Sequence, residues 1–225
     1  MIRLRIQAPF AAFRHFTAGS YRPTAPFLTP SAAYGLLLNL ANIETRHDDG
    51  KSAMTLMRAD LPKVELALGA LRWPVVHSMF QQLHNYPVGM SGKDRVDDCR
   101  GNKYNIQPIR REFLSGIDAI VCARGDGAVE EKVRLGVRGT QAGPRYGLPF
   151  LGDNSFLIDR ITEGSDGVEA YWLLPMIGSA GLASRATRLT VAIDRADMTR
   201  TKSALLALPE TKSAEPPEGA WLAVP

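Results

Sequence analysis

The sequence lacks most of the features that announce a function class. Its 225 residues include two cysteines, Cys99 and Cys122, too few for the disulfide framework of a small secreted domain. There is no Cys-x-x-Cys pair, and no two of the four histidines (His15, His47, His77, His84) sit at helical ligand spacing. A structural zinc site is therefore not expected. Long apolar runs are missing too. The most apolar stretch, 36–43, contains Asn39 and Asn42 and is far too short to cross a bilayer. Arg3, Arg5 and Pro9 interrupt any secretory signal at the start. No phosphate-binding Gly-x-x-x-x-Gly-Lys-Ser/Thr element occurs, and no internal repeat. The expectation is a soluble cytoplasmic protein with reduced thiols and no membrane partner. With 45% hydrophobic and 22% charged residues, disorder of the whole chain is excluded.

Acidic residues are scarce in particular places. Residues 1–43 hold Arg3, Arg5, Arg14 and Arg22 and no acid, and 132–154 hold Lys132, Arg134, Arg138 and Arg145 against Asp153 alone. Arginine supplies most of the cations, and the net charge is +4. Guanidinium groups bind phosphate through two parallel hydrogen bonds and stack on bases, which lysine does not do. An anionic partner is indicated. A GC-rich genome, which inflates Arg and Ala, would give the same composition.

Residues 2–6 alternate apolar and Arg, the period of a half-buried strand. A loop rich in aromatics and Pro spans 10–28. Thr29 is a good N-cap and Pro30 suits the first helical position. Ala33, Leu36, Leu37 and Leu40 then share one helix face. Gly35 within that helix costs stability, which predicts a close backbone or ligand approach. Residues 64–71 read as a strand. Residues 77–112 are polar and glycine-bearing and read as an inserted arm or long hairpin. A strand over 113–123, able to begin near Asn105, follows. Residues 128–137 read as a helix, with a hairpin past Asp126-Gly127 as the competing reading. Strands are expected at 156–161, 168–174 and 188–193, then a polar, mobile tail. The order is that of a split βαβ unit. The fold class is therefore α+β, a ferredoxin-like (RNA-recognition-motif-like) βαββαβ core with an inserted thumb hairpin and additional C-terminal strands. The core with its arm would occupy 1–175, a strand extension 176–208 and a flexible tail 209–225.

Four places carry candidate chemistry. The helix start near Thr29, with Ser31 and the upstream Tyr21 and Arg22, offers free N–H groups to a phosphate; an ordinary capped core helix has the same sequence. The glycine-rich stretch from Gly136 to Gly152 either approaches a phosphate chain, with Arg138 and Arg145 as counter-charges, or is a plain surface loop. The arm mixes His84, Tyr86, Arg100, Lys103, Tyr104, Arg110 and Arg111, and aromatics interleaved with cations suit single-stranded RNA. The same arm admits metal-independent RNA cleavage, with His84 and Lys103 moving the proton and steadying the phosphorane. Glu130 and Glu131 read as a solvated helix face, not a catalytic pair.

Three segments resemble a known family. Pro9-Phe10-Ala11-Ala12-Phe13-Arg14 runs on to Tyr21-Arg22-Pro23-Thr24 and into Thr29-Pro30-Ser31-Ala32-Ala33-Tyr34-Gly35-Leu36-Leu37. With Gln82-Leu83-His84-Asn85-Tyr86-Pro87 and Tyr146-Gly147-Leu148-Pro149-Phe150-Leu151-Gly152-Asp153-Asn154, this is similar to the CRISPR-associated Cas-five family, in particular its DevS-like branch, over about residues 2–175. The resemblance implies a RAMP-superfamily core that caps the five-prime handle of CRISPR RNA in a type I (Cascade) complex. It also implies contacts with a Cas-seven backbone subunit and a large Cas-eight-type subunit. Members of one subtype instead cleave precursor RNA without metal; their Tyr, Lys and His set does not map onto positions here. No catalytic residue, metal or cofactor is therefore assigned. RNA contact is carried over to Arg14, Tyr21, Arg22, Ser31, Tyr34, His84 and Tyr86. Arg100, Lys103, Arg110, Arg111, Arg138, Arg145 and Tyr146 are added from charge and glycine context. A protein-only scaffold with a basic surface is the third reading.

Overall fold

The computed structural model describes the chain apart from residues 15–20, 52–54, 85–105, 165–166 and 177–184, and apart from the side chains at 83–84 and 106–107. Its centre is β1 (Ile2–Ala11), where Ile2, Leu4, Ile6 and Ala8 are buried on one face. Each such burial contributes about 1.5–3 kcal/mol for the larger side chains. β1 pairs antiparallel with β7 (Ile106–Arg124) on one side and with β8 (Arg160–Glu163) on the other. β7 pairs in turn with β5 (Val64–Ala70). The central order is β8–β1–β7–β5, all antiparallel, and β13 (Leu222–Val224) extends it beyond β5. The protein is thus a mixed α+β fold built on a mostly antiparallel sheet.

Among the described residues two α-helices lie on one face. Thr29 caps α1 (Pro30–Leu40), its hydroxyl oxygen accepting from Ala32 N at 3.2 Å. The helix buries Leu36, Leu37 and Leu40 in the same core as Ile2, Leu4 and Ile6. α2 (Gly127–Arg138) is capped by Asp126, which accepts from Ala128 N and Val129 N at 2.9 and 3.1 Å. Gly139 ends it with φ +70°. The helix reading of 128–137 holds, and the competing hairpin does not form. Glu130 is not solvated: it is buried and receives the N-terminal ammonium of Met1 at 2.7 Å.

The two ends of the polar stretch 77–112 become the sides of a hairpin, and its middle, 85–105, lies outside the described residues. β6 (Val75–His84) pairs with β7 from Val75↔Ser115 to His84↔Ile106. The outer half of β7 belongs to this arm and the inner half to the sheet. β2 (Tyr21–Arg22) runs parallel along the arm's other edge. Small elements complete the fold. β3 (Arg46–His47) pairs with β4 (Leu56–Met57), and β9 (Tyr171–Trp172) pairs with β5. β10 (Leu174–Pro175), β12 (Lys202–Ala207) and β11 (Ala186–Ala192) make a separate three-stranded sheet, with β11 against α1.

Several expectations shift. The strand expected at 156–161 lies at 160–163, because Phe156 turns to pack on Phe10 and Phe113. The strand expected at 168–174 breaks into β9 and β10. The tail expected to be mobile is tied to the back of the main sheet. Arg3 donates to Ala214 O and Val168 O, both at 2.7 Å, and Trp172 Nε1 donates to Ser213 O at 3.0 Å. Arg124 binds Glu65 and Glu218 and lies over the Trp221 ring. The polar composition of 209–219 is misleading because its backbone carbonyls satisfy donors on a buried sheet face. Behind them Cys122 is buried, and burial pushes its thiol up to about 12.

Candidate nucleic-acid interface

α1 presents Ser31, Gly35 and Asn39 at successive i, i+4 positions, and all three line a cleft of about 400 Å³. Gly35 is the floor. A Cβ added there would meet nothing within 4 Å, so bare backbone faces open space; the expectation of a close approach at Gly35 becomes one of room left for an occupant. Tyr146, Leu148 and Phe150 form the facing wall. The loop carrying them is fixed by Asn39 Nδ2, which donates to Gly147 O at 3.1 Å. Gly152, φ +76°, sits against Ala12 O and Phe13, a close approach that no side chain would allow.

Two side-chain atoms of residues lining this cleft, Asn39 Oδ1 and Arg195 Nε, are buried without a hydrogen-bond partner among the described residues. Tyr146 is exposed, and partial burial raises its phenol above the ordinary value, with the nearby Asn39 amide working against the rise.

A second cleft, of about 350 Å³, adjoins the first and shares Phe13, Arg14, Arg46, Phe150 and Gly152 with it. It adds Arg22, Arg111, Glu112 and Asp153. Its two acids are engaged. Glu112 accepts from the Tyr21 hydroxyl and from Thr24 N, the latter at 3.0 Å, and Asp153 pairs with Arg111. Arg14, Arg22 and Arg46 are exposed and pair with no carboxylate among the described residues. The lip shared by the two clefts is therefore positively charged and open.

Burial works to raise the Asp153 carboxyl, but hydrogen bonds from Ser155 and the nearby Arg111 outweigh it and hold the carboxyl below its usual range. A carboxyl whose pKa is lower folded than unfolded adds stability above the unfolded value, near 4. That stability is lost as pH falls through the folded value. Asp153→Asn is expected to flatten the fall in stability between about pH 5 and pH 3. Urea midpoints measured across that range check this, and an unchanged pH slope would contradict the assignment.

The structure places the sequence-predicted residues in three groups. Arg14, Arg22, Ser31 and Tyr146 line the clefts, with Tyr21 and Arg110 beside them on the arm. Four others are held by the protein itself, although Tyr34 and Arg111 still border a cleft. Tyr34 is 5% exposed, its hydroxyl donates to Pro62 O at 2.7 Å, and burial pushes it up to about 12. It anchors α1 and offers no donor outward. Arg111 lines the second cleft, but its guanidinium is held by Asp153 and the Phe156 ring. Arg138 turns to Glu163 at 3.2 Å and Arg145 to Gly136 O at 2.8 Å, and neither lines the two clefts. Arg3 and Arg5, part of the acid-free start, are consumed on the back of the sheet, Arg5 by a two-bond pair with Asp118 at 2.9 and 2.8 Å. His84 ends β6, where its side chain is not described, and Tyr86, Arg100 and Lys103 lie outside the described residues. Among the described residues no group of three His, Cys, Asp or Glu could hold a metal ion, and no helix is long and apolar enough to cross a membrane.

Residues 1–134, more than half of the chain, match the family described as CRISPR-associated protein (Cas_Cas5). The chain belongs to that family. No curated protein matches it. Over 97% of its length it is similar, at 15% identity and a TM-score of 0.58, to a chain of a "CRISPR RNA-guided surveillance complex", of which 95% is covered. A second solved structure, "Crystal structure of Cas protein", aligns over 96% of this chain and 94% of its own at 16% identity and a TM-score of 0.45. At such identities the first likeness speaks for a common fold.

In this Cas-five family member, the matched stretch supplies Arg14, Arg22, Arg46, Ser31, Gly35 and Asn39, whereas the facing wall at Tyr146–Phe150 lies beyond it. Sequence reasoning missed Arg46, Asn39, Leu148 and Arg195. Arg46 and Arg195 stand beside acids in sequence, Glu44 and Asp194, which hid their free positive charge. Asn39 read only as an interruption of an apolar run. Leu148, 70% exposed, carried no signal apart from its motif.

Proposed function

We propose that this chain is a non-catalytic RNA-binding subunit of a type I CRISPR interference complex. It caps the five-prime handle of the CRISPR RNA and nucleates assembly with a Cas-seven backbone subunit and a large Cas-eight-type subunit. The observation that carries this reading is the pair of adjoining clefts, lined by Arg14, Arg22 and Arg46, which pair with no carboxylate among the described residues. Cations at the lip suit phosphates, while the apolar wall of Tyr146, Leu148 and Phe150 suits splayed nucleotides. The assembly partners rest on family membership and on the likeness to a surveillance-complex chain. The order β8–β1–β7–β5, fourth-first-third-second in the sequence of the split βαβ unit, supports a ferredoxin-like core.

Purified protein incubated with labelled precursor repeat RNA in EDTA, on denaturing and native gels beside a scrambled handle, tests the reading. The RNA is expected to stay intact and to be retained in preference to the scrambled handle. With about four to six phosphates engaged, log affinity should fall against log salt with a slope of about −3 to −4. A single defined cut in the repeat would make the chain a processing ribonuclease, and equal retention of both RNAs would remove the handle from the proposal.

A further inference from the structure

Phe80 is 76% exposed, more than any other large apolar side chain among the described residues. It sits on β6 opposite Arg110 of β7, and Arg110 pairs in turn with Tyr21 of β2. Side chains of directly paired residues stand on the same face of a sheet. Phe80, Arg110 and Tyr21 therefore form one row across three strands at the root of the arm. At the usual strand spacing the backbones of β6 and β2 lie about 9.5 Å apart here, with Arg110 on the strand between them. Tyr21 is 47% exposed, and its hydroxyl donates to Glu112, which also holds Thr24 N. That ring is thus fixed in place before anything binds. Phe80 touches no other ring among the described residues, and Arg110 is exposed.

We infer that this row is a stacking platform for two bases of single-stranded RNA, with Arg110 set to meet the phosphate between them. The inference rests on the RNA-binding reading above and adds a site outside the two clefts. Every base has a π-face, so such a platform is tolerant of sequence and adds affinity without reading letters. A protein laid over Phe80 would have to bury Arg110 and supply an acid to match it. A nucleotide chain brings the flat apolar surface and the negative charge together. The row also continues the lip of the second cleft, because Arg22 follows Tyr21 on β2 and lines that cleft.

The test uses the full chain and its precursor repeat RNA carrying 2-aminopurine at one position in turn, read by affinity and by fluorescence quenching. Phe80→Ala and Phe80→Leu are each expected to weaken binding about tenfold and to abolish quenching at one or two positions, while Phe80→Trp retains both. Arg22→Ala, a cleft variant, should weaken binding and lower the salt slope by about 0.7 yet keep the quenching. Wild-type affinity and quenching in Phe80→Leu would overturn the platform and leave handle binding standing. No RNA retention by the wild-type chain would overturn both. Undisturbed RNA binding in Phe80→Ala, with loss of a partner subunit from the assembled complex, would make the row a protein interface instead.

Discussion

The triple variant Arg14→Glu, Arg22→Glu, Arg46→Glu is expected to lose about a hundredfold or more in affinity for repeat RNA at moderate salt. The three guanidinium groups stand exposed, Arg14 and Arg46 at the shared lip of the clefts and Arg22 in the second, without a carboxylate partner among the described residues. Each phosphate contact on a single strand contributes about −0.7 to the slope of log affinity against log salt. Losing three should therefore flatten the slope by about 2. Reversing the charge adds repulsion on top of the lost attraction, so the loss exceeds that of an alanine triple. The fold should be untouched, because none of the three contributes to a pair in the core. Affinity titrations at several salt concentrations, beside a thermal melt, check both halves. A slope unchanged from wild type would place the phosphates elsewhere on the molecule.

Gly136→Ala is expected to destabilise the protein by about 3 kcal/mol and to lower the melting temperature by roughly 6–12 °C. Gly136 lies inside α2 where the helix crosses the end of α1. A Cβ there would collide with Leu40 O, lie 2.8 Å from its carbonyl carbon and crowd the Gln141 amide. The obstacle is backbone at the end of a packed helix, which cannot swing aside as a side chain does. Alanine is the better helix former by about 1 kcal/mol, so the measured loss is what remains after that gain. Gly35→Ala is the contrast, since a Cβ at Gly35 meets nothing within 4 Å. There the propensity gain should appear as a small rise in melting temperature, together with a narrower cleft and weaker RNA retention. Equal melting temperatures for Gly136→Ala and wild type would show that the helices part without cost.

Where local chemistry was enough, the sequence was legible. Thr29-Pro30 supply a cap from neighbouring residues, and α1 begins where they predict, whereas the cap of α2 comes from Asp126, which read only as part of a turn. The alternation in 2–6 became β1, because one face of any half-buried strand must be apolar. The three family segments also sufficed to place the chain among CRISPR-associated proteins, a membership the match over 1–134 establishes. Tertiary structure decided the matters that depend on distant partners. Arg3, Arg5, Arg14 and Arg22 look alike in a chain without nearby acids, but Asp118 and the carbonyls of 168 and 214 draw the first two onto the back of the sheet. The last two are left facing out. Gly136 read as the start of a glycine-rich stretch, and Gly35 as a costly residue inside a helix. One is required by a backbone carbonyl a hundred residues away in sequence, and the other opens onto a cleft. The row of Phe80, Arg110 and Tyr21 exists only through strand register, which no single segment specifies. Short-range rules fix caps and periods, whereas the sign and accessibility of a surface depend on which charges folding brings together.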